Sequence, residues 1–158
     1  MIFVPDKQEQ ILLNFRNLFE KMSWLNTLKM KNSLKSYKSS EVHCIEYIEK
    51  NTDVNVTKLA EAFYMTKGAI TKVTQKLMDK NVIESYQKKD NKKEIYFRLT
   101  SKGKEVFEVH EKLHDEIKKR DSAVFESMSN RQFEDILRFM EDYSRHLDSE
   151  IENYNKAE

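Results

Sequence analysis

The chain has 158 residues, enough for one domain-sized core, and its two glycines and one proline leave few places to punctuate strands or build a glycine-rich phosphate loop. Hydrophobic residues make up 39% and charged residues 35%, which suits helices with solvated outer faces; no apolar run approaches the roughly 20 residues that span a bilayer, so a membrane protein is not expected. The net charge of +1 hides an uneven distribution: residues 66–100 carry nine Lys or Arg against four Asp or Glu, whereas residues 105–158 carry eight against fifteen, so a phosphate-facing surface is expected only in the middle of the chain.

Residues 6–31 place Ile11, Leu12, Phe15, Leu18, Phe19, Met22, Leu25 and Leu28 three and four apart, which predicts one long amphipathic helix. Ser39 or Ser40 then stands as a cap ahead of Val42, Ile45, Tyr47 and Ile48, with Glu41 in a first turn where the helix dipole favours an anion. After a break at Asn51–Val56, a short helix is expected from Thr57 to Phe63. Thr66 caps a fourth helix from Lys67 to Lys80, with Ala69, Ile70, Val73 and Leu77 on its inner face. Two helices joined so tightly predict a helix-turn-helix.

Two short strands follow, Val82–Tyr86 and Glu94–Leu99, alternating and rich in β-branched and aromatic residues. The turn between them, Gln87–Lys93, is charged and has Asp90-Asn91 at its tip, so a basic hairpin is expected. The Thr100 hydroxyl caps a fifth helix that turns Val106, Val109, Leu113 and Ile117 inward and runs to Ser127. A sixth starts at Ser129 or Asn130 and passes Phe133, Ile136, Leu137, Met140, Tyr143 and Leu147 to Ile151.

The fourth helix leaves Lys67, Thr71, Lys72, Gln75 and Lys76 outward. These are the side chains that read a major groove: glutamine pairs with adenine, lysine with guanine edges or phosphate, and a threonine methyl meets a thymine methyl. Thr66 and Gly68 lie at the helix start, where amides favour an anion and a glycine lets the backbone approach a phosphate. Lys88, Lys89, Asn91, Lys92 and Lys93 supply the hairpin's contacts.

Val56-Thr-Lys-Leu-Ala-Glu-Ala-Phe63, Met65-Thr-Lys-Gly-Ala-Ile-Thr-Lys-Val-Thr-Gln-Lys-Leu77, Lys80-Asn-Val-Ile-Glu84, Asp90-Asn-Lys-Lys-Glu-Ile95 and Leu99-Thr-Ser-Lys-Gly-Lys104 follow in this order. Together they resemble the MarR family of winged helix-turn-helix transcriptional regulators over residues 10–150. Lys92 stands where the family's wing usually has an arginine; it keeps the charge without the flat bidentate fork. The resemblance implies a mainly α fold with a two-stranded β-wing, one domain over 1–158, a DNA-binding part at 39–100 and helical dimerisation parts at 6–31 and 101–155. It further implies a homodimer held through Phe15, Phe19, Phe133, Leu137, Met140 and Leu147. Such a dimer acts, most often as a repressor, on a pseudo-palindromic operator in double-stranded DNA and answers to a small-molecule or metal effector.

His110 and His114 are four apart on one helix and can share a metal ion. The family's zinc-sensing branch, which the chain resembles here, adds a histidine on the second helix, the place of His43; Glu20 and Glu41 are candidates to complete four-coordination of zinc. No second metal site is implied, since Val109 replaces a carboxylate of that branch and Cys44 sits beside His43. The competing expectation is that these histidines line a wet crevice. His146 is expected at the surface, and Cys44 as a small buried hydrophobe.

His110-Glu-Lys-Leu-His114 also matches the helical zinc-hydrolase pattern, but no nucleophile elbow or glycine-rich loop accompanies it, so no enzyme is expected. An adaptor that binds protein in place of DNA is the other competing function. The start, MIFVPDKQEQ, has no basic stretch leading into an apolar one and no lipidation signal, and Cys44 is the only cysteine; a reducing cytoplasm is the expected setting.

Overall fold

The computed structural model describes residues 6–157, so the first five residues of the MIFVPDKQEQ segment lie outside it. Helix α1, Lys7–Ser33, begins where the Glu9 N–H donates to the Asp6 carboxylate at 2.8 Å. Helix α2 covers Ser39–Lys50, but neither expected serine caps it. Lys38 holds the cap position, and the Glu41 side chain reaches back to accept its N–H at 3.0 Å. Helix α3, Val56–Phe63, is capped by Asn55 and stopped by Tyr64 in the left-handed region, φ 52°. Thr66 caps α4, Lys67–Asp79, accepting from the Ala69 N–H at 3.1 Å.

Strands β1, Ile83–Tyr86, and β2, Tyr96–Leu99, pair antiparallel, with Ile83 opposite Leu99 and Tyr86 opposite Tyr96. A single extra rung, the Phe97 N–H to the Val54 carbonyl at 2.8 Å, ties the hairpin to the α2–α3 connection. Helix α5 covers Ser101–Phe125 and α6 covers Asn130–Ala157. Thr100 caps α5 through the Gly103 N–H, and Ser129 exchanges hydrogen bonds with Gln132 to start α6.

The described residues form two compact units, one running to Ile117 and one from Lys118 onward. Val42, Ile45, Ile48, Leu59, Ile70, Leu77, Val82, Phe97 and Leu99 make the core of the first, bringing α2, α3, α4 and the hairpin onto one centre. Inner-face expectations for α4 hold for Ile70 and Leu77, with Thr74 buried between them and Ala69 and Val73 half-buried. On α5 the expected stripe holds at Val106 and Leu113 and is shifted only at its second position. Val109 faces solvent, and His110 takes the inward place between Val106 and Leu113.

Gly103 explains that shift. A Cβ at Gly103 would lie 1.9 Å from the Val82 carbonyl oxygen, so α5 rests its first turn directly on the strand entry and its rotation follows from that contact. Helices α1 and α6 bury no residue of their own; Phe19 is 72% exposed, Trp24 69% and Leu137 57%. In the second unit Phe133 stacks on Phe125 at 6.2 Å, while Leu137, Met140 and Leu147 continue an exposed apolar stripe along α6. No described helix is long and apolar enough to cross a membrane.

Gly103→Ala is expected to lower unfolding stability by about 1–3 kcal/mol, because the clashing partner is backbone and cannot swing away. Chemical denaturation checks this, and a midpoint equal to that of the parent would contradict the close approach.

Candidate nucleic-acid interface and imidazole cluster

Burial of Ile70, Thr74 and Leu77 turns the opposite side of α4 to solvent. Thr66, Lys67, Gly68, Thr71, Lys72, Gln75 and Lys76 are all exposed there, as expected from the sequence. Thr71 donates its hydroxyl to the Lys67 carbonyl at 2.8 Å, so its methyl is the group left to meet a partner. Gln75 donates to Asp79 at 2.9 Å, a surface contact between neighbouring turns. Around Gly68 nothing lies within 4 Å of where a Cβ would stand, so the fold itself does not require a glycine there.

The hairpin divides its basic residues. Lys89, Lys92 and Lys93 are exposed. Lys88 is not a free cation: it pairs with Asp53 at 2.5 Å and lies 5.1 Å from the centre of the Tyr96 ring. That hydrogen bond, more than any other influence, holds the Asp53 carboxyl below the usual carboxylate range and lifts Lys88 above the ordinary lysine range. Asn91 builds the turn, its side-chain oxygen accepting from the Lys93 and Glu94 N–H groups at 3.2 and 3.3 Å. Lys88 and Asn91, expected as contacts, thus also hold the shape of the hairpin, and Lys89, Lys92 and Lys93 are its exposed lysines.

The histidines meet where α2 faces α5. His110 is 4% exposed, and its Nε2 lies 2.9 Å from Nε2 of His114 and 3.1 Å from a Glu46 carboxylate oxygen. The three ligand atoms, one from each of Glu46, His110 and His114, all fall within 4.8 Å of one another. His43 is exposed, its ring centre 6.2 Å from that of His110. Burial lowers the His110 pKa and the neighbouring imidazoles add to that, outweighing the Glu46 carboxylate, so the ring is neutral at pH 7. Burial acts upward on Glu46, but hydrogen bonds from Lys50 and His110 prevail and keep it below the usual range.

The carboxylates expected beside the histidines do not stand there. Glu41 is 2% exposed and bound to Lys80 at 2.7 Å, with the net effect of lowering its pKa although burial opposes it. Glu20 lines a shallow groove along α1 with Trp24. Glu46, missed in the sequence, follows His43 by three residues on α2 and so shares its side of the helix, a signal the spacing carried. Glu111, the acid inside the hydrolase-like pattern, pairs with Lys50 at 3.0 Å. A crevice of about 320 Å³ opens beside the cluster, lined by Phe19, Met30, His43, His110 and Leu113, so the histidines do border a cavity.

The MarR family model matches residues 38–95, from the start of α2 through the hairpin turn. The HTH-type transcriptional regulator PchR of Bacillus subtilis is 36% identical over 114 residues, 70% of this chain and 66% of that protein. In these respects the chain is similar to the MarR family. Its alignment with PchR thus spans just under two thirds of that relative's length. Streptococcus pneumoniae FabT, solved in complex with DNA, superposes with a TM-score of 0.78 at 19% identity, over 90% of this chain and 99% of FabT. S. aureus MepR, also solved with DNA, gives 0.70 at 16%, over 84% and 93%. At these identities the two structures establish a shared fold, a winged helix-turn-helix with α3 and α4 as the helix pair and β1–β2 as the wing.

Cys44 is 2% exposed, and burial pushes its thiol up to about 11. At pH 8 it is therefore protonated as well as shielded. A disulfide-exchange reagent such as DTNB is expected to leave the native protein untouched over minutes and to titrate one thiol in guanidinium; rapid native reaction would contradict this burial.

Proposed function

We propose that the chain is a sequence-specific DNA-binding transcriptional regulator of the cytoplasm, a repressor that acts as a homodimer on a pseudo-palindromic operator. The observation that carries this reading is the outer side of α4: a capped N-terminus followed by Lys67, Thr71, Lys72, Gln75 and Lys76, all exposed and polar, on a helix whose inner side is shut in the core. That is the arrangement by which a helix enters a major groove. Lys89, Lys92 and Lys93 on the wing add phosphate contacts that raise affinity without reading sequence. The apolar stripes of α1 and α6, which include half-buried Phe15 and exposed Phe19, Leu137, Met140 and Leu147, are surfaces for the second subunit. The names of the relatives, as transcriptional regulators, favour this reading over an enzyme or a protein adaptor.

A second property rests on the imidazole cluster. Two imidazole nitrogens and a carboxylate oxygen converging within 4.8 Å are a donor set suited to zinc, and three such ligands leave a fourth position open. Glu46, His110 and His114 would hold the ion, and His43 is the nearest further imidazole. Bound there, zinc would join α2 to α5 and change operator affinity through its preference for one arrangement of the subunit.

Gly68→Ala separates stability from function: it is expected to stabilise the free protein by up to about 1 kcal/mol, since helical glycine is costly and the Cβ meets nothing, yet to weaken binding to a duplex selected by the parent. Gln75→Ala is expected to weaken that binding by about 1–3 kcal/mol with the melting temperature unchanged. Fluorescence anisotropy measures both, and parental affinity in both variants would remove α4 from the interface.

For the metal, calorimetric titration with zinc is expected to show uptake by the parent at micromolar concentration and its loss in Glu46→Gln and His110→Ala. No uptake by the parent, or full uptake by both variants, would contradict the assignment.

A further inference from the structure

The C-terminal end of α4 is held from two sides at one residue. The Lys80 ammonium donates to the Ser36 carbonyl at 2.6 Å and to the Glu41 carboxylate at 2.7 Å, and lies 4.8 Å from the centre of the Tyr37 ring. Glu41 is nearly sealed from solvent, and the same carboxylate oxygen accepts the Lys38 N–H at 3.0 Å. On the other side the Lys80 carbonyl accepts from Lys102 at 2.9 Å, and the carbonyl of the next residue, Asn81, accepts the Thr100 hydroxyl at 2.7 Å. Asn81 is left-handed, φ 57°, so the chain turns sharply out of α4 at this point. One side chain thus joins the end of α4 to the α1–α2 turn and the first turn of α2.

We propose that Lys80 is a positioning residue for sequence selection: its ammonium, without touching nucleic acid, sets the tilt at which α4 is presented. The proposal rests on the DNA-binding reading above. Burial of Ile70, Thr74 and Leu77 sets the rotation of α4 about its own axis and seats its N-terminal turn through Ile70, so what the Lys80 contacts add is the height of the C-terminal end. A helix of 13 residues is about 20 Å long, so a tilt of about 10° displaces its two ends relative to each other by about 3 Å, as much as a whole hydrogen bond. Base-edge contacts fail at that displacement. Long lysine side chains reaching phosphates follow it, so nonspecific binding survives.

The test uses the full chain and two duplexes, one selected by the parent from random DNA and one unrelated. Lys80→Met alone leaves a buried carboxylate without its cation and lowers the melting temperature, so the informative variant is Lys80→Met with Glu41→Gln, in which the amide oxygen still accepts the Lys38 N–H and no buried charge is left unpaired. This double variant is expected to melt near the parent and to lose preference for the selected duplex by about tenfold or more, while affinity for the unrelated duplex and the salt slope stay as they were. Lys80→Arg, which keeps a cation beside Glu41, is expected to retain most of the preference. A double variant that prefers the selected duplex as strongly as the parent overturns the proposal alone. Should the double variant not fold, Lys80→Met and Lys80→Arg are compared at a temperature where both are folded, and equal preference in the two overturns it. A parent that prefers no duplex overturns the DNA-binding reading itself and the proposal with it.

Discussion

The shut inner edge of α4 orders the rest of the first unit. Ile70, Thr74 and Leu77 recur at three- and four-residue spacing and are almost without exposure, so the helix cannot rotate about its axis without bringing polar residues into the core. Its outer residues are thereby committed to solvent together, and the Thr66 cap satisfies an amide at the end nearest any approaching phosphate. The wing is then referred to the same frame, because Val82 and Ile83 bury directly after α4 and Phe97 bonds back to Val54.

Of the polar side chains buried among the described residues, Glu41 and His110 link elements. Glu41 closes α2 onto the end of α4 through Lys80; His110 closes α5 onto α2 through Glu46. No buried side-chain nitrogen or oxygen is left without a partner among the described residues, so neither group carries an unmet desolvation cost. The arrangement makes α2 the common neighbour of α4 and of the imidazole cluster. An ion that tightens α5 against α2 would act on an element already tied to α4.

Much of this was legible in the sequence, and where it failed the cause is local. Helical and two-residue periodicities located the six helices and two strands of the described residues, and Thr66 and Thr100 marked two helix starts by their hydroxyls. The start of α2 was misread because a serine is the better intrinsic cap, whereas here the back-bond from Glu41 moves the cap to Lys38. The inner stripe of α5 was misread because Val109 and His110 both fit a spacing of three or four, and the apolar residue was preferred; the approach of Gly103 to Val82 decides for His110. Asp53 and Lys88 are 35 residues apart, beyond any local pattern, so the pairing of Lys88 had no signal. Glu46 did have one, three residues after His43.

The central claim is that the outer side of α4 reads base edges in two copies related by symmetry. Selection of bound sequences from random duplex DNA tests it most directly. The account predicts enrichment of an inverted repeat whose half-sites are centred one helical turn apart, about 10 base pairs, as two reading helices on one face of the duplex require. Recovery of no enriched motif, with binding that depends on salt alone, would contradict it.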